Sequence, residues 1–322
     1  MTTSLVTGAN GFIGRHLVNF LISRGDRVIE LVNASSRDDA APFHLANLGF
    51  KMPNENRHRV AVDILDSDKI KALVSKFRPD EIYHLAGQSS PNISWLQPAE
   101  TMRVNYEGSL NIIQGVIEAE LKPALVMASS SSIYAENKVS LAIDEEGKCN
   151  PSTPYGISKL AVDCLAKIYS KAYGMRIFNA RPFFLIGAMK VGDVFSDWAK
   201  NIVDIERGRC QELSIGQING VKRDFLSIHD GVRGMALIAS KGLAGESYNI
   251  CSGSGIALSD VLNMFINASP NSIKVSIDGS KIRPVEELIK VGDNTKLRSL
   301  GWNQEIGIES ALKEILEYWR SQ

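Results

Sequence analysis

An α/β fold, a parallel sheet with helices on both faces, is predicted by three observations on this sequence. Short β-branched runs alternate with amphipathic stretches up to about residue 182, and such alternation makes successive strands parallel, with crossover helices covering the sheet. Three glycines cluster at the first strand–helix junction, in TGANGFIG (7–14). The chain has 322 residues, 44% hydrophobic and 22% charged, which is enough apolar material for one large or two modest domains.

The strand-like runs are SLVT (4–7), RVIELV (27–32), HRVAVD (58–63), EIYHLA (81–86), ALVMAS (124–129) and RIFNAR (176–181). Helical periodicity marks GFIGRHLVNFLISRG (11–25), SDKIKALVSKF (67–77), AETMRVNYEGSLNIIQGVIEAE (99–120) and PYGISKLAVDCLAKIYSKAYG (154–174). Residues 34–57 lack a period and read as a long excursion. Beyond residue 182 the pattern loosens: helices are expected at 193–207, 230–241, 258–267 and 308–320, with short strands near 212–215, 224–228, 246–250 and 273–277. The expected organisation is a dinucleotide-binding domain over 1–180 and a smaller mixed α/β substrate domain over 181–322, with strands near 224–250 returning to the large sheet.

Equal numbers of basic and acidic residues, 36 each, give no support for a nucleic-acid or membrane role driven by bulk charge. Cys149, Cys164, Cys210 and Cys251 are far apart in sequence, with no C-x-x-C and no histidine cluster. They read as reduced, mostly buried thiols of a cytoplasmic protein, and no metal site is expected. MTTSLVTG enters a strand at once, without the charged and apolar regions of a signal peptide. No apolar run reaches membrane-spanning length.

Gly8, Gly11 and Gly14 follow a strand and open a helix. Glycines there allow a sharp turn and close approach of a pyrophosphate to the helix N-terminus, a Rossmann-like dinucleotide site in a doubly wound sheet. Such sites often carry an acid near the end of the second strand, for the ribose hydroxyls of NAD. Here Val32 and Asn33 stand there, Glu30 is two residues early, and Ser35, Ser36 and Arg37 follow. Hydroxyls and a cation suit a 2′-phosphate, so NADP is favoured and NAD stays open; Arg37 as an exposed loop cation is the competing reading. Asp63 could meet the adenine edge or cap the next helix.

Y-x-x-x-K occurs at Tyr134–Lys138 and at Tyr155–Lys159. The spacing brings two side chains to one face only on a helix. Only the second pair has helical periodicity, with Pro154 suited to the first helical position. A cation one turn from a phenol favours the phenolate, and a nearby serine could steady an oxygen whose carbon exchanges a hydride. A helix-surface Tyr–Lys contact is the bland alternative.

The stretches TGANGFIG, VDILD, IYHLAGQSS, NYEGSLNII, ASSSSIY, PYGISK, RDFLSIHD, YNICSG and LGW run along most of the chain. With them the sequence resembles the extended short-chain dehydrogenase/reductases that modify nucleotide sugars. SPNISWLQPAETMRVNYEGSLNI, DVFSDWAKNIVDIERG and RPVEE bring it nearest to GDP-4-keto-6-deoxy-mannose reductases and their GDP-mannose dehydratase relatives. The resemblance implies Ser130, Tyr155 and Lys159 as the catalytic trio. It places Gly8, Asn10, Gly11, Phe12, Ile13 and Gly14 on the pyrophosphate, and Asn33, Arg37, Asp63 and Ile64 toward the adenosine. Leu85, Ala86, Gly87, Asn105 and Arg181 complete the expected cofactor wall, shared with Tyr155 and Lys159. Substrate contacts fall to Ser89, Ser90, Ser131, Ser132 and Phe184, with Lys200, Arg223, Arg283 and Glu286 from the second half. A homodimer is implied, paired through the helices at 99–120 and 154–174.

Two departures from the family pattern shape the expectation. Dehydratases carry acids just after the catalytic serine or threonine, to protonate the leaving hydroxyl; Ser131 and Ser132 stand there instead. The motif R-x-F-N-H-x-G-P reads RPFFLIGA, so Phe184 and Leu185 replace an amide and an imidazole, which predicts a more apolar pocket. The leading expectation is NADPH-dependent reduction of a nucleotide-bound 4-keto-6-deoxy sugar, with a GDP sugar implied by the nearest family match. A 4-epimerase with tightly held NAD, an NAD-dependent C4 dehydrogenase and a non-catalytic dinucleotide sensor remain as alternatives.

Overall fold

The structure is a computed structural model that describes residues 1–33, 56–135, 142–279 and 288–322. The first half forms β1 (Thr3–Thr7), α1 (Phe12–Ser23), β2 (Arg27–Val32), β3 (Arg57–Ala61), α2 (Ser67–Phe77) and β4 (Glu81–His84). Short helices α3 (Pro91–Leu96) and α4 (Pro98–Met102) lead to α5 (Gly108–Glu118), β5 (Ala124–Ala128), α6 (Pro154–Tyr173), β6 (Ile177–Pro182) and β7 (Phe184–Ile186). Then come α7 (Val194–Glu206), β8 (Leu213–Ile215), β9 (Lys222–Ser227), α8 (Ile228–Lys241), β10 (Ser247–Ile250), β11 (Gly255–Ala257) and α9 (Leu258–Asn267). The chain closes with β12 (Val275–Ile277), β13 (Ile289–Lys290), α10 (Thr295–Ser299) and α11 (Ile308–Ser321).

Among the described residues the large sheet has seven strands in the order β10-β6-β5-β4-β1-β2-β3. Every pair in it is parallel. This is a Rossmann-like doubly wound sheet, buried on both faces. Leu17, Val18 and Leu21 of α1 meet Val232, Met235 and Ile238 of α8 on one face. On the other, Ile70 and Val74 of α2 pack with Ile112, Ile113 and Val116 of α5 and Val162 and Leu165 of α6. Chain order reverses between β1 and β4, which opens a crevice at the carboxyl ends of those strands.

A second core lies among α7, α9, α11 and the short strands, with Phe195, Trp198, Phe225, Phe265, Leu312 and Ile315 buried together. Of the segment 224–250, β10 enters the large sheet beside β6. β9 does not: it pairs with β7, β11 and β13 in the smaller sheet.

Two further expectations change. The helix expected over 99–120 is interrupted, because residues Arg103–Glu107 form a wide π turn between α4 and α5. The thiols are not mostly buried: Cys149 and Cys164 are exposed, Cys210 is half-buried and Cys251 is buried, all free. Cys164 sits on the outer face of α6, where the helical period turns it away from the sheet. Among the described residues, no helix is long and apolar enough to cross a membrane.

Candidate active site

The turn after β1 is built for close approach. Gly8 has φ +66°, and a Cβ there would lie 2.8 Å from the Ala86 nitrogen, at the end of β4. A Cβ on Gly14 would lie 2.2 Å from the Gly8 carbonyl oxygen, so α1 can start this near the strand only with glycine. Gly11 differs. Its φ is −74°, open to any residue, and its Cβ would meet protein only at 3.2 Å. The space it keeps free lies outside the turn. As N-cap of α1 it offers no side-chain oxygen to the helix, so the first-turn N–H groups stay available to an anion. A dinucleotide pyrophosphate fits these features. Phe12 and Ile13 are half-buried in the first turn of α1, and the Asn10 carbonyl accepts a 2.7 Å bond from Arg15 Nε.

A buried polar chain fixes the other wall. Thr7 Oγ1 accepts the N–H groups of Leu85 and Ala86, both at 3.1 Å. Its hydroxyl proton is then free to donate to His84 Nδ1 at 2.8 Å. His84 Nε2 donates to Ser109 Oγ at 3.1 Å, and Ser109 donates to the Asn105 carbonyl at 2.6 Å. Every direction agrees with a neutral His84, whose pKa burial lowers to about 3. Asn105 sits in the π turn, 1% exposed. Its amide grips the backbone of Gln88, accepting from N–H at 2.8 Å and donating to C=O at 3.0 Å, and donates to Ser158 of α6 at 2.8 Å. The extra residue in the turn is what aims Asn105 at the loop after β4. A Cβ on Gly87 would collide with Asn105 Oδ1 at 2.6 Å.

Serine turn and α6 converge beside this wall. Ser130 follows β5 and caps a short 3₁₀ turn, accepting from the Ser132 N–H at 3.1 Å. Thr153 caps α6 and Pro154 opens it. Tyr155 and Lys159 share the buried face of that helix. Burial raises the Tyr155 pKa, and a hydrogen bond with the Ser130 hydroxyl opposes the rise. Lys159 Nζ donates to the Ala128 carbonyl at 2.8 Å, and burial lowers its pKa to about 8. The expected lowering of the phenol by the lysine is outweighed: the ammonium lies 6.0 Å from the ring centroid, tied to β5. The phenol is therefore held protonated. Ser131 is buried, Ser132 half-buried, and neither supplies a carboxyl.

Other expected contacts divide. Phe184 borders the cluster of Ile133, Tyr134 and Phe183, next to the serine turn. The Arg223 guanidinium lies 5.4 Å over the Phe184 ring, and Nη1 donates to the Leu288 carbonyl at 2.9 Å. Leu185 faces the large core instead, against Gly231, so only Phe184 of the two replacements can line a pocket. Ser89 is exposed, and Ser90 caps α3 through the Ile93 N–H at 3.3 Å. Lys200 lies on the solvent face of α7, 6.0 Å over the Trp319 ring. Arg37, Arg283 and Glu286 fall outside the described residues.

On the adenosine side, Asn33 is exposed just after β2. Asp63 is exposed and accepts from the Leu65 N–H at 2.9 Å; the cap of α2 is Asp66. Ile64 is buried and its carbonyl is held by Asn111 at 2.9 Å. Glu30 is fully buried and ion-paired with Arg57 and Arg59 of β3. Arg181, expected in the cofactor wall, is held by protein partners. It is 1% exposed, with Nε and Nη2 on Asp163 at 3.0 and 2.7 Å and Nη1 on the Tyr134 hydroxyl at 2.7 Å. Thr7, His84, Ser109 and Asp163 escaped the sequence reading; a carboxylate four residues past Lys159, on the same helical face, was the one visible signal.

Known proteins resemble the chain over its whole length. The chain is 29% identical over 321 residues to the GDP-6-deoxy-D-mannose reductase of Pseudomonas aeruginosa, covering 98% of this chain and 97% of that protein. The solved NADPH complex of Pseudomonas aeruginosa RMD superposes with a TM-score of 0.85 at 28% identity, over 100% of this chain and 99% of that one. UDP-glucose 4-epimerase of Thermotoga maritima with UDP-glucose gives a TM-score of 0.83 at 27% identity, over 99% of both chains. A family model described as GDP-mannose 4,6 dehydratase matches residues 5–315, and the chain therefore belongs to that family of extended short-chain dehydrogenase/reductase enzymes.

Proposed function

We propose that the chain is an NADPH-dependent reductase of a nucleotide-bound 4-keto-6-deoxy sugar, with a GDP sugar as the first choice. The observation that carries this reading is the pair Tyr155 and Lys159 on the buried face of α6, with Ser130 at the head of the serine turn and hydroxyls rather than acids following it. When bound, the dihydronicotinamide supplies a hydride to the sugar C4. Tyr155 gives its proton to the carbonyl oxygen, Ser130 hydrogen-bonds that oxygen, and Lys159 sets a positive charge behind the phenolate that forms. Ketone, hydride and proton together balance to the alcohol. In this reading Arg223, stacked on Phe184, supplies the cation for the diphosphate. The absence of a carboxyl at Ser131 and Ser132 argues against 4,6-dehydration despite the family's description. The full-length similarity to the Pseudomonas reductase and to the NADPH complex supports both sugar and cofactor.

A 4-epimerase with tightly bound NAD is the second reading, supported by the similarity to the Thermotoga epimerase. The protein is to be incubated with GDP-, UDP-, CDP- and dTDP-4-keto-6-deoxy sugars and NADPH or NADH, with products read by NMR. Reduction of one keto sugar with matching loss of NADPH is the expected result. Failure with every keto sugar, alongside interconversion of an ordinary UDP-hexose, sinks the reductase.

Free thiols fit the reducing cytoplasm. A homodimer accounts for the apolar side chains exposed on α3 and α6, where Trp95, Leu96, Ile157 and Ile168 are 50–81% exposed. I157E with I168E is expected to sediment as a monomer where the parent sediments as a dimer.

A further inference from the structure

We propose that Arg181 is a positioning residue that keeps the serine turn in register with the tyrosine helix. This rests on the trio reading above, in which Ser130 and Tyr155 must meet one oxygen although they come from different elements. A hydroxyl on a short turn and a phenol on a helix keep hydrogen-bonding geometry only if something rigid joins the two supports.

Arg181 touches both. It stands at the end of β6, and its fork is bidentate on Asp163, with both partners nearly inaccessible to solvent. Asp163 lies one helical turn beyond Lys159 and two beyond Tyr155, on the buried face of α6. The remaining amino group, Nη1, donates to the Tyr134 hydroxyl at 2.7 Å and to the Glu145 carbonyl at 2.8 Å. Tyr134 ends the serine turn, with its N–H on the Ser131 carbonyl at 3.1 Å. Its own hydroxyl proton goes to Asn249 Oδ1 of β10 at 2.7 Å. One planar group thus ties α6, the serine turn, the 145 segment and, through Tyr134, the edge strand of the sheet. A lysine could not do this: its single ammonium has no fork for the carboxylate with a second nitrogen left for the phenol.

The backbone agrees. The segment after the turn is stitched to 148–150 by Ala135 N–H on the Lys148 carbonyl at 2.8 Å and Asn150 N–H on the Ile133 carbonyl at 3.0 Å. The Glu145 carboxylate accepts the Asn249 N–H at 2.7 Å, so that segment is anchored to the same strand. Nothing in this set touches the glycine turn. Its loss should move Ser130 relative to Tyr155 and leave cofactor binding alone.

Y134F tests this with least disturbance, since it keeps the ring and removes only the hydroxyl; R181K is the second variant. Each is measured alone and combined with S130A, on whichever nucleotide sugar the parent turns over, by reduction or by epimerisation. In the parent background, S130A should lower kcat on the order of 100-fold. In the Y134F or R181K background the same change should lower it less than about tenfold, because the serine is already displaced. KM and the Kd for NADPH should stay within about twofold of the parent, as expected when only transition-state contacts are lost. An S130A factor equal in all backgrounds, even with a lower Tm, overturns the proposal.

A parent that epimerises instead of reducing defeats the reductase reading and leaves this comparison readable. If no nucleotide sugar reacts, hydrogen exchange decides. Y134F should speed exchange at the amides of Tyr134, Ala135 and Asn150 and leave the α1 amides unchanged. Unaltered exchange at those three amides overturns it.

Discussion

Two buried cations, Lys159 on α6 and Arg181 on β6, stand in opposite surroundings. Lys159 reaches β5 and has a carbonyl as its partner, so burial lowers its pKa to about 8. Arg181, at the end of β6 beside Ala180, which pairs with Ala128, has a carboxylate on its fork, and its pKa is raised by that partner against the cost of burial. The contrast separates working from holding. A charge left without a counter-ion costs stability and is free to act on a neighbouring phenol. A charge closed into a bidentate pair holds elements in place and has nothing left for substrate.

The largest effect that can break this comparison is on the working side. Tyr155→Phe is expected to lower kcat by about 10²- to 10⁴-fold, the range for a lost general acid, with chemical denaturation unchanged. A matching loss of stability would mean that the phenol is structural. On the holding side, Asp163→Ala strands the guanidinium and should cost about 3–5 kcal/mol in a urea melt. A loss under about 1 kcal/mol, the worth of an exposed pair, would show that the pair is not load-carrying in the fold.

A smaller effect comes from pH. Lys159 in the folded chain titrates at about 8, below the 10.5 of a free lysine. Between those values the unfolded chain holds a proton that the folded chain has released, so the burial penalty is full below pH 8 and eases as pH rises toward 10.5. Lys159→Met should lose that rise and be at least as stable as the parent at pH 7. The parent's kcat is expected to fall as the pH passes 8, and that of Lys159→Met to lack the fall. An alkaline limb that survives in Lys159→Met assigns it to another group.

The same contrast marks what was legible in the sequence. The strands and helices before residue 182 each carry their own period, and α2 and α9 match their expected spans. The placement of Tyr155 and Lys159 on one helix face was readable from their spacing, and Ser130 at the end of β5 from its motif. Three strands of the smaller sheet were not, since β7, β11 and β13 run only two or three residues and owe their form to pairing with β9, itself expected near 224–228. The wide turn at Asn105 was hidden because apolar spacing continues across it. The pairing of Arg181 was hidden for a related reason: its partner is 18 residues away on another element, and pairing across elements leaves no periodic trace.

The most direct measurement uses NADPH carrying deuterium at the transferable position of C4, with a GDP-4-keto-6-deoxy sugar. One deuterium at sugar C4 for each NADPH oxidised, with a single C4 configuration, is the expected result. Sugar interconversion with no net cofactor oxidation, or a product lacking deuterium at C4, contradicts it.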